Sequence, residues 1–101
     1  MKKLSPEQMC VMHYMPKGKK NAISRANLCE ATGYSDRNNR NIISQLRAEG
    51  NLICNSGTGY YLATDIEDIE RQYWQDKARA MSILKRVKAA RKILKDAGRR
   101  V

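Results

Sequence analysis

Apolar positions in the first half of the chain recur at helical spacing in three short stretches, each preceded by a serine able to cap a helix. The first stretch begins after Ser5, with Pro6 at the first helical position and Gln8 placed to complete a capping box. Pro16 is expected to end it, because proline cannot continue a helix. The pattern predicts a short first helix.

The second and third stretches are separated by a turn around a glycine. Ser24 caps the second stretch, which ends at Gly33. Ser35 caps the third, which runs to Gly50. Gly33 lies four residues after the small Cys29, as a close crossing of the two helices requires. Two helices joined in this way have the outline of a helix-turn-helix.

Directly after the third helix, the pattern changes to that of strands. Residues 52–54 and 60–62 are apolar, and all except Cys54 are β-branched, aromatic or aliphatic; the polar loop between them, residues 55–59, holds two glycines. Such a loop between two such runs is typical of a β-hairpin. A helix-turn-helix followed at once by a hairpin is the winged variant of the motif.

The last third of the chain predicts one long helix. Thr64 and Glu67 are placed as a capping box, and Gly98 is a plausible stop, which gives about 33 residues and on the order of 50 Å. Its apolar residues repeat as heptads, and Asp76 is the one charged residue among ten seam positions. This favours a coiled coil. The predicted dimerisation residues are Ile66, Ile69, Tyr73, Ala80, Ile83, Val87, Ala90 and Leu94.

Charge along this helix is uneven. Residues 65–76 hold five acids and one base, whereas residues 77–101 hold ten bases and one acid. Part of this complements the helix dipole. In a homodimer the same gradient favours antiparallel pairing. The alternative is a helix folded back on its own domain, with a basic tail that contacts DNA phosphates.

The whole chain is strongly basic. It has 101 residues and a net charge of +10, and its composition, 42% hydrophobic and 30% charged, suits one globular domain with an appendage. The charge predicts attraction to phosphate-rich surfaces without separating DNA from RNA or an anionic membrane.

Other classes of function find little support. No apolar run approaches the roughly 18 residues that span a bilayer, and Pro6, Glu7 and Gln8 stand where a signal peptide would be apolar. Three widely spaced cysteines fit reduced thiols in a reducing compartment. Cys10 and His13 lack a second pair at metal-ligand spacing. We therefore expect a cytoplasmic protein that is not an enzyme and has no metal or cofactor.

The third helix carries side chains suited to reading bases. Ile42, Ile43 and Leu46 set its apolar side. In a major groove, arginine makes two hydrogen bonds to guanine, and asparagine or glutamine makes two to adenine. Contact with bases would explain why asparagines are tolerated in this helix. The alternative is that the polar side of the helix only faces solvent and binds nothing. The predicted DNA-binding residues are Arg37, Asn38, Arg40, Asn41, Ser44, Gln45 and Arg47.

Phosphate contacts are expected from three places: the start of the second helix, where free N–H groups and the helix dipole meet, the basic loop before it, and the hairpin loop. For the basic loop, the alternative is that its lysines only aid solubility. For the hairpin loop, which has no lysine or arginine, the alternative is a plain turn without a contact to phosphate. The predicted residues are Lys19, Lys20, Ser24, Arg25, Ser56 and Thr58.

One further pattern runs through the third helix and the hairpin. It consists of Arg37, Arg40, Ile43, Leu46, Arg47, Gly50, Ile53, Gly59, Tyr60, Tyr61, Leu62 and Ala63. On these positions, roughly residues 23–63 resemble a winged helix-turn-helix, in particular the small proteins of that class in phages and prophages of bacteria. Such proteins usually have Val or Ile where this chain has Asn39. The resemblance implies a transcriptional regulator, or an accessory factor in phage replication or recombination, in the cytoplasm of a bacterial host cell.

The predicted fold is mainly α with a small β-hairpin. A winged helix-turn-helix domain spans residues 1–63, a long, coiled-coil-like amphipathic helix residues 64–98, and a basic tail residues 99–101. The expected partners are double-stranded DNA, bound sequence-specifically, and a second copy of the chain, with no membrane. The alternative is a protein-interaction adaptor with only non-specific affinity for nucleic acid. RNA binding is disfavoured, because the third helix exposes no aromatic side chain for base stacking.

Overall fold

The computed structural model describes residues 3–101, which are mainly helical with a two-stranded antiparallel hairpin and a long C-terminal helix, as the sequence predicts. A short 3₁₀ helix, Lys19–Asn21, precedes the second α-helix. No helix among the described residues is both long and apolar enough to cross a membrane. The elements in chain order are α1 (Pro6–His13), α2 (Arg25–Thr32), α3 (Asp36–Ala48), β1 (Ile53–Asn55), β2 (Tyr60–Leu62) and α4 (Ile66–Asp96).

The predicted caps of the first three helices are confirmed. Ser5 and Gln8 form the capping box of α1: the Ser5 hydroxyl accepts from the Gln8 N–H at 3.1 Å, and the Gln8 side chain accepts from the Ser5 N–H at 2.9 Å. Ser24 and Ser35 cap α2 and α3 through their hydroxyls, which accept from the Asn27 and Asn38 N–H groups at 3.1 Å each. Gly33 ends α2 with φ 76°, a left-handed conformation that glycine adopts without steric penalty.

The core of the N-terminal part lies where α1, α2 and α3 meet the hairpin. Its buried side chains come from every one of these elements, so the core depends on all of them together. Leu28 and Leu46 are fully buried, and each such side chain contributes about 1.5–3 kcal/mol to folding. The buried cluster consists of Val11, Met15, Leu28, Ile43, Leu46, Ile53 and Tyr60.

The first strand of the hairpin begins and ends one residue later than predicted. Ile53 pairs with Leu62 and Asn55 with Tyr60, so β1 includes Asn55 and excludes the exposed Leu52. The loop is correspondingly shorter, and the Ser56 N–H closes it by donating to the Gly59 carbonyl at 3.0 Å.

The second edge of β2 is also paired, which the sequence pattern does not indicate. The Ile23 N–H donates to the Tyr60 carbonyl at 2.9 Å, and the Tyr60 N–H donates to the Ile23 carbonyl at 2.8 Å. Further along, the Leu62 N–H donates to the Pro16 carbonyl at 2.7 Å. Both edges of β2 are therefore hydrogen-bonded, and the segment before α2 is attached to the hairpin.

The start of α4 differs from the prediction. Asp65 takes the capping role expected of Thr64: its Oδ1 accepts from the Asp68 N–H at 2.9 Å, and the helix begins at Ile66. Asp68 is buried, and the Tyr61 hydroxyl donates to its Oδ1 at 3.4 Å. This contact attaches the first turn of α4 to β2. At the other end Asp96 is the last helical residue, and Gly98 terminates the helix as predicted: it is left-handed with φ 76°, its N–H donates to the Lys95 carbonyl at 3.0 Å, and the Arg99 N–H donates to the Leu94 carbonyl at 2.8 Å.

The chain divides into two compact units, Met1–Ile69 and Glu70–Val101. The first contains α1 to α3, the hairpin and the first turn of α4. The second is the remainder of α4 and the C-terminal residues, and every side chain from residue 73 onward is exposed in the single chain.

We expect Gly59→Ala to destabilise the N-terminal unit by about 1–3 kcal/mol, because the chain of Ile23 passes too close to admit a side chain. A Cβ at Gly59 would lie 2.1 Å from the Ile23 carbonyl oxygen. Urea unfolding followed by circular dichroism measures the loss. Thr58→Ala, at the exposed neighbouring position, is the control, and equal stability of the two variants would contradict the close packing.

Candidate nucleic-acid interface

The polar face of α3 is exposed along the whole helix. Asn39, Ile43 and Leu46 are buried on its other side. Because an α-helix turns 100° per residue, burial of that side directs the opposite one to solvent. Six of the seven predicted DNA-binding side chains are exposed, and we call them the α3 polar face: Arg37, Asn38, Arg40, Asn41, Ser44 and Gln45.

Arg47, the seventh predicted DNA-binding residue, is half-buried. Its Nε donates to the Ile53 carbonyl at 2.8 Å, and its Nη2 is buried without a hydrogen-bond partner. The guanidinium is thereby held against the first strand. We therefore assign Arg47 to the attachment of the hairpin to α3 rather than to the polar face.

Asp36 organises the start of the polar face. Its carboxylate accepts from Arg25 on α2 through two hydrogen bonds, Nε at 2.9 Å and Nη2 at 2.5 Å, and Arg40 Nη1 lies 3.8 Å away. The hydrogen bonds from Arg25 hold the pKa of Asp36 below its ordinary value and raise the pKa of Arg25. The pair joins α2 to α3 and brings two predicted DNA-contacting arginines to one carboxylate.

The cluster changes the expected role of Arg25. Its side chain stays 58% exposed while paired, so one edge of the guanidinium remains open to solvent. Sequence analysis missed the pairing, although Asp36 in the first turn of α3 is an acid in a stretch otherwise rich in arginine and asparagine. The partners are eleven positions apart in the sequence, which is too far for helical spacing to indicate the pair.

The expectation that the asparagines of α3 are there to contact bases does not hold for Asn39, because its side chain is buried. It is only 2% exposed, its Oδ1 accepts from the Thr32 hydroxyl at 3.2 Å, and its Nδ2 lies 3.6 Å from the Cys29 sulfur. A buried amide needs such partners, because its desolvation is otherwise uncompensated. Asn39 therefore serves the α2–α3 crossing, and only Asn38 and Asn41 are available to a ligand.

The predicted phosphate contacts lie on three separate elements. Lys19 and Lys20 are exposed on the 3₁₀ helix. The Ser24 hydroxyl accepts a hydrogen bond from the Asn27 N–H and so caps α2. It lies beside the free N–H groups at the start of that helix, but it is already paired itself. In the hairpin loop, Ser56 and Thr58 share a hydrogen bond of 2.7 Å between their hydroxyls.

The structure also bears on metal binding. Within residues 3–101, no three histidine, cysteine, aspartate or glutamate side chains come together in a way that would hold a metal ion. What α3 presents instead is a row of cationic and amide groups on a firmly packed helix.

Asn39→Ala should lower the free energy of unfolding by about 1–3 kcal/mol, because it removes a buried hydrogen-bonding group and leaves the Thr32 hydroxyl without that partner. Asn41→Ala, an exposed asparagine two residues away, should change it by less than about 0.5 kcal/mol. Urea denaturation of both variants makes the comparison. If both substitutions have the same small effect, Asn39 is not an element of the core.

Asp36→Asn should reduce stability at neutral pH, and the reduction should disappear in acid. The folded-state pKa of Asp36 is lowered, so its contribution is present above the unfolded-state pKa of about 3.9 and is lost as pH falls through the folded-state value. The difference in urea midpoint from wild type should therefore narrow below about pH 4. Glu30→Gln, which removes an exposed carboxylate of α2, is the control; a difference for Asp36→Asn that persists in acid would contradict the ion pair.

Neither a family model nor a curated protein nor a solved structure matches this chain. Its function has to be inferred from its own residues and their geometry.

Proposed function

We propose that this protein binds double-stranded DNA sequence-specifically as a winged helix-turn-helix protein, with α3 inserted in the major groove. The observation that carries the proposal is the α3 polar face: exposed arginine, asparagine and glutamine on a helix whose other side is buried. These side-chain types form paired hydrogen bonds with guanine and adenine edges.

The dimensions of α3 fit this role. Its 13 residues extend about 20 Å, and a major groove about 12 Å wide admits one α-helix. Arg37, Asn41 and Ser44 follow one another along the centre of the polar face at helical spacing. Asp36 lies at the N-terminal end, where its charge is compensated by Arg25 and Arg40.

Electrostatics supports approach to a polyanion. Residues 1–64 hold nine basic and four acidic residues, and exposed Lys19 and Lys20 add charge outside α3. Contacts of this kind with phosphates position a protein on DNA without reading its sequence. Affinity should therefore fall as salt rises, because phosphate neutralisation releases counterions.

The biological role follows only from the resemblance to small winged proteins of phages and prophages. On that basis the protein would act as a transcriptional regulator, or as an accessory factor in phage replication or recombination. A protein-interaction adaptor is the second candidate, and the exposed apolar side chains of α4 are the observation that favours it.

The test is a binding selection from random-sequence duplexes, followed by fluorescence anisotropy on an enriched duplex and on an unrelated one. Arg37→Ala should weaken binding to the enriched duplex by roughly 1–3 kcal/mol, which is about 5- to 150-fold, and change the unrelated duplex much less. The physical reason is that this guanidinium contacts base edges rather than phosphates.

Lys20→Ala is the matched control, since it also removes one exposed positive charge. It should weaken both duplexes by a similar factor and reduce the salt dependence. If the selection enriches no motif, or if Arg37→Ala and Arg40→Ala both leave affinity unchanged, α3 is not the reading helix.

A further inference from the structure

α4 carries an apolar stripe that the single chain leaves uncovered. Tyr73, Ile83, Val87 and Leu94 are each between 40% and 53% exposed, and they recur at heptad positions. Toward the C-terminus the stripe forms a shallow groove that the Val101 side chain helps to line. Contiguous exposed apolar surface marks a site of interaction, and most helical stability in proteins comes from packing of an apolar face, so a partner that covers the stripe would stabilise α4.

The charge of α4 indicates what that partner is. The start of α4 with its cap, residues 65–76, has a net charge of −4, and the other end of the helix with the two residues after it, residues 87–98, has a net charge of +3. In a parallel pair of identical helices, each charged section would lie beside the same section of the second copy, which has the same sign of charge. An antiparallel pair sets the acidic section of each copy beside the basic section of the other.

We propose that α4 forms an antiparallel homodimer with α4 of a second copy, in the register that places Ala80 opposite Ile83. In this register each residue at one seam position of the heptad lies opposite a residue at the other seam position of the second copy, as antiparallel coiled coils require. Tyr73 packs on Ala90 of the second copy, so the largest seam side chain lies against a small one.

The same register accounts for Asp76, the charged seam residue. Antiparallel pairing places it opposite Val87 of the second copy, which stands between Arg86 and Lys88. A parallel, in-register pair would instead place Asp76 opposite its own copy, two like charges in an apolar seam. Glu70 likewise comes beside Arg91 of the second copy. The inference does not depend on DNA binding.

Dimerisation is tested by sedimentation equilibrium of the full chain at 1–100 µM. We expect a mass twice the 11.6 kDa of one chain. Ile83→Glu should raise the dimer dissociation constant at least about tenfold, because it places a carboxylate in the seam. Ser82→Glu adds the same charge one residue earlier on the opposite side of α4 and should leave the dimer intact.

Orientation is tested on the wild-type chain, so the result does not depend on whether a variant folds. A mixture of unlabelled and ¹⁵N-labelled protein is treated with a carbodiimide, which joins carboxylates directly to lysine amines, and is analysed by mass spectrometry. The antiparallel dimer should give mixed-isotope links from the acidic section to Lys88, Lys92 or Lys95. Glu70 and Lys88 of one continuous helix are about 27 Å apart, too far for such a link.

Three results would overturn the proposal. A monomer at 100 µM would mean that the stripe is covered within the chain or by another molecule, such as a different protein or an anionic membrane. Mixed-isotope links only between nearby positions, such as Asp76 to Lys77, would show a parallel pair. Equal dissociation constants for Ile83→Glu and Ser82→Glu would place the interface elsewhere.

Discussion

Burial of Ile43 and Leu46 is the constraint on which the rest of the N-terminal unit depends. Both side chains are almost completely removed from solvent, and each contributes about 1.5–3 kcal/mol. Since they lie three residues apart on one helix, their burial sets the rotation of α3 about its axis. That rotation exposes Arg37 and Asn41 together, so the candidate interface is a consequence of how the core is packed.

Polar contacts around α3 then set its angle and position. Asn39 is bonded to Thr32 at the crossing with α2, Asp36 to Arg25 at its start, and Arg47 to β1 near its end. Apolar packing is not directional, whereas hydrogen bonds are, so these contacts restrict sliding that hydrophobic burial alone would permit. Helix-groove recognition needs this stiffness, because a base-edge hydrogen bond tolerates little displacement.

α4 follows a different physical rule. Its first turn is attached to the hairpin through Asp68, which accepts from Tyr61. From residue 73 onward its side chains are exposed in the single chain, so the single chain supplies no apolar packing for this part of the helix. In the dimer that we propose, the separation of charge along the helix selects the antiparallel orientation, and the fit of large against small side chains selects the register.

The amino-acid sequence by itself determined the features that act over a few residues: the serine caps of α1 to α3, the left-handed glycine after α2, the hairpin and the long helix. The caps and the glycine depend on atoms within about five positions of one another, and the strands of the hairpin pair residues at most nine positions apart, so local spacing is sufficient to predict these features. Helical spacing already puts Asn39 on the apolar side of α3, four residues before Ile43, and the choice of Asp65 over Thr64 as the cap of α4 is a local one, made over three residues. Only the tertiary structure decided the hydrogen bond of Asn39 with Thr32, the use of Arg47 by the hairpin, the Arg25–Asp36 pair and the pairing of Ile23 with β2. In each of these cases a polar group pairs with a partner that packing brings close, and local periodicity carries no record of that proximity.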